Sequence, residues 1–256
     1  MSPVLTIARR DFTAALASPV AFVLFGVFAF LFGYFFSDFL ANFVEAGMRM
    51  TQMGGFSGGN LHVNHDLVRW LLASAAILIL FFAPLLSMRA ISGEIRGGTL
   101  ELLLTAPVTD AQIVLGKFLG AFALYAVMLG FTVLHLAVLF RFSAPDPGPV
   151  LAAYLGLALF GAAVLSLGLF FSSLSRNQIV AGLLTLGVLL VLWLIEFADQ
   201  GSGGPREALA YLSVTGHMSD FARGVITTRA LVFYLTFTGF WLYLTRESLR
   251  SRRWRG

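Results

Sequence analysis

Six stretches of this sequence are apolar, nearly free of charge and about as long as a lipid bilayer is thick. A membrane-spanning helix needs about 20 predominantly apolar residues. The six stretches together contain a single Asp, Glu, Lys or Arg residue, which is Glu196 near the end of the fifth stretch. None shows the period-two alternation of a membrane β-barrel, so the sequence predicts an all-α integral membrane protein. The stretches run over about 20–36, 71–86, 118–140, 150–171, 179–197 and 230–244.

The composition excludes a soluble fold. Hydrophobic residues make up 58% of the 256 residues and charged residues 12%, whereas soluble domains average about 45–50% and about 25%. Cys is absent, which rules out disulfides, thiolate metal ligands and cysteine nucleophiles. We interpret residues 1–256 as a single transmembrane domain.

The segment before the first stretch is amphipathic. Apolar residues recur at helical spacing, and Arg9, Arg10 and Thr13 occupy the other side. This pattern predicts a helix over 2–17 that lies in the membrane interface. The pair Ser18-Pro19 then turns the chain into the bilayer, because Pro favours a helix start and restricts the residue before it.

Basic residues are distributed unequally between the two sets of connecting segments. The set that includes both termini holds 11 of the 17 Lys and Arg residues and leaves 6 for the other set. Because cytoplasmic loops are enriched in Lys and Arg, we expect both termini in the cytoplasm. The basic cluster in the tail from Arg250 to Arg255 is typical of a cytoplasmic anchor, and we expect no nucleic-acid partner.

The predicted spans lack the groups that drive most transporters. Ionisable residues within a membrane mark ion and proton pathways, but apart from Glu196 at a span end the spans offer only His135. Gly116-Lys117 is followed by Phe118 rather than by Ser or Thr, so no P-loop is present to bind nucleotide. Energy for any transport must therefore come from another chain.

The segment between the second and third stretches carries most of the local structure signals. Gly97-Gly98 breaks the descending helix, and Thr99 is a credible N-cap of a short new helix that Pro107 stops. Thr109 and Gln112 form a predicted capping box that opens the third long helix. The short helix is apolar, so it either docks onto a partner surface or lies on lipid headgroups. Its apolar residues are Leu100, Leu102, Leu103 and Leu104.

The first outer loop, about 37–70, contains a literal Gly-x-Ser-x-Gly centred on Ser57, followed by His62, His65 and Asp66. A serine hydrolase or a metal site is one interpretation. A nucleophile elbow, however, needs a strand before the Ser and a helix after it, and this Gly-rich segment is typical of a flexible linker. Asn64 and Asp66 resemble helix-start residues before the second span, so we expect no catalytic and no metal site.

The loop between the second and third spans closely resembles that of the membrane subunits of type-2 ABC exporters, and more narrowly that of the gliding-motility-associated permease branch. The matching residues there are Met88-Arg89, Glu94, Arg96, Gly98 to Leu103, Pro107 and Gly116-Lys117. Further matches follow in order along the chain: 18–22, 154–156, 172–178, His217 and 221–225. Gly93 departs from the family pattern, because the family often has an acidic residue at this position.

The resemblance implies an elbow helix, six spans and a coupling helix over Thr99 to Ala106 that docks into a cleft of a separate ATPase. It also implies that the apolar segment of about 198–229 forms short re-entrant helices that close the outer mouth. The ATPase-coupling residues that it implies are Arg89, Glu94, Arg96, Thr99, Leu100, Glu101, Leu103 and Leu104. The outer-gate residues that it implies are Tyr211, His217, Phe221 and Arg223.

The expected function is that of a non-catalytic permease in the bacterial inner membrane. The resemblance implies two ATPase copies, which bind ATP and Mg²⁺, a second permease copy and an auxiliary membrane subunit with a large extracytoplasmic domain. This chain itself is expected to hold no cofactor and to contact membrane lipid. Two alternatives stay open: an intramembrane serine hydrolase centred on Ser57, and an anchoring subunit that transmits force without moving a substrate.

Overall fold

The computed structural model describes residues 2–52, 62–143, 145–198 and 213–253, with the backbone alone for Leu104 and for 196–198. Every regular element in these ranges is a helix, which confirms the predicted all-α class. The helices are α1 (Pro3–Leu16), α2 (Pro19–Gln52), a π-helical turn (Val63–Val68) continuous with α3 (Arg69–Ser87), α4 (Ser92–Gly97), α5 (Thr99–Thr105), α6 (Asp110–Phe142), α7 (Pro147–Leu174), α8 (Gln178–Ala198), α9 (Gly216–Ala222) and α10 (Thr228–Arg253).

Five helical segments are long and apolar enough to cross a membrane, and they correspond to the first five predicted stretches. They are α2, the run Val63–Gly97, α6, α7 and Gln178–Ile195 of α8. The sixth stretch, 230–244, lies in α10, which is not among the five because Thr, Tyr, Trp and Arg residues dilute its apolar character. The 26 residues of α10 extend over about 39 Å, a sufficient length, so the sixth span stays a prediction.

Successive long helices run in alternate directions, and the bundle therefore has two ends. At one end, Arg253 of α10 lies 3.2 Å from Asp110 at the start of α6. At the other end, Asn64 and Asp146 exchange two hydrogen bonds of 2.9 and 3.0 Å. We call the first the terminal end, because α1 and the end of α10 lie there, and the second the α9 end.

The helix α2 continues beyond the predicted span of 20–36, so the predicted outer loop begins as helix. Side-chain pairs one turn apart support this extension. Asn42 donates to Asp38 over 3.3 Å, and Arg49 lies 2.6 Å from Glu45. Such pairs stabilise exposed helices, and the apolar pattern of the sequence does not indicate them because the segment is polar.

The helix α7 lies at the centre of the bundle and packs against α3, α6, α8, α9 and α10. Glycines allow its neighbours to approach closely. A Cβ atom at Gly156 would overlap Phe221 of α9, one at Gly161 would overlap Tyr125 of α6, and one at Gly168 would overlap Ser87 of α3. These small residues therefore serve packing within the chain.

Candidate functional site

The chain between α3 and α4 is fixed to the end of α7 by one buried hydroxyl. The backbone N–H groups of Ile91 and Ser92 donate to Ser172 Oγ over 3.0 and 2.9 Å. Ser172 Oγ in turn donates to the carbonyl of Met88 over 2.9 Å. Because this hydroxyl satisfies three backbone groups at once, the sharp turn after α3 is held in one position at the terminal end.

The break between α4 and α5 lies where the two glycines predict it. Helix α4 ends at Gly97, and Gly98 has φ +69°, a left-handed conformation that favours glycine. Thr99 is the first residue of α5 rather than its N-cap, because Gly98 occupies that position and no side chain caps the helix. The predicted stop before Pro107 is confirmed, since α5 ends at Thr105.

The predicted capping box at the start of α6 is also confirmed. Gln112 N–H donates to Thr109 Oγ1 over 3.3 Å, and Thr109 N–H donates to Gln112 Oε1 over 3.0 Å. The two bonds satisfy donors that a helix start leaves unpaired. The return from α5 into α6 is therefore as well defined as the turn that leads into α4.

The short helix α5 has an inner and an outer face. Leu100 is buried, and Leu103 packs against the same apolar cluster from its edge. Leu102 points outward and is 73% exposed, with Glu101 and Thr105 exposed beside it. The side chain of Leu104 lies outside the described residues. The buried members, which we call the terminal-end cluster, are Ile7, Ile91, Leu100, Ile113, Val114, Leu169 and Leu249.

A buried lysine joins three elements at the terminal end. Lys117 of α6 is 1% exposed, and its ammonium lies 3.1 Å from Asp11 of α1 and 2.8 Å from Glu94 of α4. It also donates to the carbonyl of Ala90 over 2.7 Å. Arg10 bridges the two carboxylates from outside, at 2.9 Å from Asp11 and 2.5 Å from Glu94. We call these four charged residues the charge cluster.

The predicted coupling residues do not form one surface. Glu94 faces inward to Lys117, whereas Arg96 and Glu101 are exposed to solvent. Arg89 reaches back to Ser18 Oγ at 3.4 Å, at the turn between α1 and α2. The internal role of Lys117 was not predicted, although a lysine directly before a long apolar run is a signal that could have indicated it.

At the α9 end, two of the predicted gate residues are packed into the bundle. Phe221 is fully buried, and the ring of His217 stacks on Phe233 with centroids 4.2 Å apart. His217 Nδ1–H donates to the carbonyl of Ser213 over 2.8 Å. Burial lowers the pKa of His217 below 6.5. Arg223 is exposed, and Tyr211 lies outside the described residues.

The candidate hydrolase and metal residues of the first outer loop are only partly visible. Ser57 lies outside the described residues. Asp66 accepts from His62 N–H over 2.8 Å and from His65 at 3.0 Å, which is the arrangement expected of a helix start. Within the described ranges, no three His, Asp or Glu side chains lie close enough together to hold a metal ion.

Comparisons with known proteins match this chain to membrane permeases. A sequence profile of the family described as "ABC-2 family transporter protein" matches residues 5–199, more than half of the chain. The probable ABC transporter permease protein NosY of Stutzerimonas stutzeri is 45% identical over 73 residues, which are 26% of this chain and 26% of NosY. The inner membrane transport permease YhhJ of Escherichia coli K12 is 31% identical over 131 residues, 51% of this chain and 34% of YhhJ.

A eukaryotic relative is also similar. ABC transporter G family member 20 of Dictyostelium discoideum is 33% identical over 119 residues, 46% of this chain and 16% of that protein. The chain spans about a quarter to a third of the length of NosY and YhhJ. These relatives give no support to the narrower gliding-motility-associated branch, which stays a prediction.

Proposed function

Because this chain belongs to the ABC-2 transporter family, we propose that it is a membrane-spanning permease subunit driven by a separate ABC ATPase that docks on α5. The permease performs no chemistry, and ATP and Mg²⁺ bind to the ATPase. In this proposal two ATPase copies serve two permease copies. Both termini face the cytoplasm of a bacterial inner membrane, because the terminal end carries the excess of basic residues.

The observation that carries this proposal is the outward face of α5. Leu102 is 73% exposed on a short helix that is held between two well-defined turns. An exposed leucine beside a carboxylate is the kind of apolar anchor with a polar border that protein interfaces use. An ATPase that receives Leu102 in a pocket would use Glu101 to set the register of the contact.

The inner face of α5 explains how a movement of the ATPase would reach the membrane helices. Leu100 packs in the terminal-end cluster, which contains residues of α1, α6, α7 and α10. Packed side chains transmit displacement because protein interiors are dense and have low compressibility. The charge cluster adds a second connection, from α4 through Lys117 to α1 and α6. A displacement of α5 is therefore shared by several long helices at once.

The finer parts of the proposal rest on the family resemblance. They are the elbow role of α1, the outer gate formed by α9, an auxiliary subunit with a large extracytoplasmic domain and the gliding-motility-associated branch. Two alternatives remain to be tested, a serine hydrolase centred on Ser57 and a subunit that transmits force without transport. Among the described residues, no side-chain arrangement favours the hydrolase.

The proposal is tested by co-purification. Tagged full-length protein is expressed in the organism that encodes it, extracted in mild detergent and assayed for a co-purified ABC ATPase and for ATP hydrolysis. Leu102→Glu places an unpaired charge in the docking pocket, which costs several kcal/mol when buried. We expect at least tenfold less ATPase in the eluate.

A matched control separates docking from folding. Leu5→Glu makes the same change at another leucine of the terminal end, which is 57% exposed on α1. We expect its ATPase recovery to stay within about twofold of that of the unmodified protein, because Leu5 lies on α1 and outside the proposed docking face of α5. Equal recovery with Leu102→Glu and Leu5→Glu would show that α5 does not dock the ATPase and lies on lipid headgroups instead.

A further inference from the structure

A large cleft opens at the terminal end between α5 and the ends of α7 and α10. Its volume is about 850 Å³. The lining includes the apolar residues Leu100, Phe170, Leu174 and Leu244. It also includes Glu101, three arginines and several hydroxyl groups. A cavity lined by both apolar and basic side chains has the polarity of a phospholipid that carries a negative headgroup.

The three arginines of the lining come from two different chain segments. Arg176 lies in the turn between α7 and α8 and is exposed, whereas Arg252 and Arg253 are in the last turn of α10. Arg252 donates to the carbonyls of Ser173 and Leu174 over 2.9 and 3.3 Å, so the end of α7 fixes its position. Arg253 is paired with Asp110 at 3.2 Å.

The charge of the cleft remains basic after its carboxylates are considered. Glu101 of α5 is the one acidic residue among the lining residues, against three arginines, and it is exposed. Among the described residues, no ion pair joins Arg176 or Arg252 to a carboxylate. The lining therefore contains two guanidinium groups whose charge no carboxylate of the described residues neutralises, and such groups bind phosphate well.

The cleft lies where the helices change from apolar to charged. Helix α7 ends at Leu174, which is 50% exposed, two residues before Arg176. Helix α10 changes in the same way between Leu244 and its basic last turn. Ile179 of α8 follows on the outside and is 67% exposed, as expected of a side chain that faces lipid. This level corresponds to the boundary between the hydrocarbon and the headgroups.

We propose that this cleft binds one anionic phospholipid, with its phosphate on Arg176 and Arg252 and an acyl chain against Phe170 and Leu174. Basic pockets between membrane helices are suited to anionic headgroups. A free phosphate ion would use the arginines alone, whereas a lipid would also need the apolar lining residues. Glu101 lines this cleft and also borders the proposed ATPase contact, whereas Leu102, the anchor of that contact, is not among the lining residues.

Lipid binding to the purified full-length protein tests the proposal. Phosphatidylglycerol and phosphatidylcholine are titrated separately in detergent, and the bound fraction is counted by native mass spectrometry. We expect phosphatidylglycerol to bind at least fivefold more tightly. Arg176→Gln should weaken its binding about fivefold, as expected for the loss of one basic contact near an anionic lipid. Leu174→Gln should weaken it about threefold by removing apolar contact.

Arg250→Gln is the matched control, because it removes one arginine of α10 that does not line the cleft. Its binding of phosphatidylglycerol should stay within twofold of that of the unmodified protein. Equal weakening by Arg250→Gln and Arg176→Gln would overturn the proposal, as would equal binding of the two lipids. Displacement by inorganic phosphate, with no effect of Leu174→Gln, would show a simple anion site. Loss of the ATPase with Arg176→Gln and unchanged lipid binding would assign the cleft to the partner protein.

Discussion

Loss of the charge on Glu94 should loosen the connection between α4 and α6. Removing one partner from a buried ion pair costs about 3–5 kcal/mol when the remaining charge has no other partner. Lys117 keeps Asp11 at 3.1 Å and the Ala90 carbonyl at 2.7 Å. We therefore expect Glu94→Gln to reduce the free energy of unfolding by about 2 kcal/mol, below that range.

The outer member of the charge cluster provides the control. Arg10 has a side chain that is 52% exposed, and exposed ion pairs contribute about 0–1 kcal/mol. Arg10→Gln should therefore lower the melting temperature in detergent by no more than about 4 °C, and Glu94→Gln by about 4–8 °C, from about 2–4 °C per kcal/mol for a chain of this size.

A double-mutant cycle then isolates the contact between Glu94 and Lys117. The variants Glu94→Gln, Lys117→Met and their combination should show a coupling energy of about 1–3 kcal/mol, because residues in contact are not additive. Intrinsic tryptophan fluorescence during thermal unfolding measures all three. Additive effects, or an Arg10→Gln effect as large as that of Glu94→Gln, would refute the buried connection. Glu94→Gln should also reduce the ATP turnover of the assembled transporter more than Arg10→Gln does.

Three further outcomes are expected. Reporter fusions after residue 110 and after Gly256 should report the cytoplasm and one after Gly203 the outside, and the reverse result would overturn the proposed orientation. Ser57→Ala should leave transporter ATP turnover unchanged, whereas loss of turnover at normal expression would support the hydrolase. Burial lowers the pKa of His217 from 6.5, so the unfolded chain binds a proton on this histidine more readily than the folded chain does. The stability that α9 gains from burying the neutral ring is therefore complete above pH 6.5 and is lost as the pH falls below it. Hydrogen exchange of α9, corrected for the intrinsic rate, should therefore rise between pH 7.5 and 5.5, and His217→Phe should abolish that rise; a pH dependence that persists in this variant would exclude the histidine as its cause.

The helical class and the short-range signals of the segment between α3 and α6 were predictable from the sequence because they depend on local chemistry. Gly97-Gly98 ends α4, and the capping box of Thr109 and Gln112 starts α6 as expected. The length of α2 was not predicted, because polar i,i+4 pairs rather than apolar residues extend it beyond 36. The sixth span is the opposite case, because α10 is long enough to cross a membrane but is less apolar than the other five segments.

The site was less predictable because it depends on which neighbours cover each face. The leucines of α5 have equal hydrophobicity, and no pattern within a seven-residue helix shows which of them meets the protein's own core. The structure places Leu100 inside and Leu102 outside, with Leu103 at the edge of the terminal-end cluster. Leu103→Asp would therefore disturb the fold as well as the docking surface, and a loss of ATPase binding would have two causes. With Leu102→Glu, a loss of ATPase binding would have a single cause, the loss of the docking contact. The coupling proposal is therefore best tested at the exposed Leu102 rather than at Leu103.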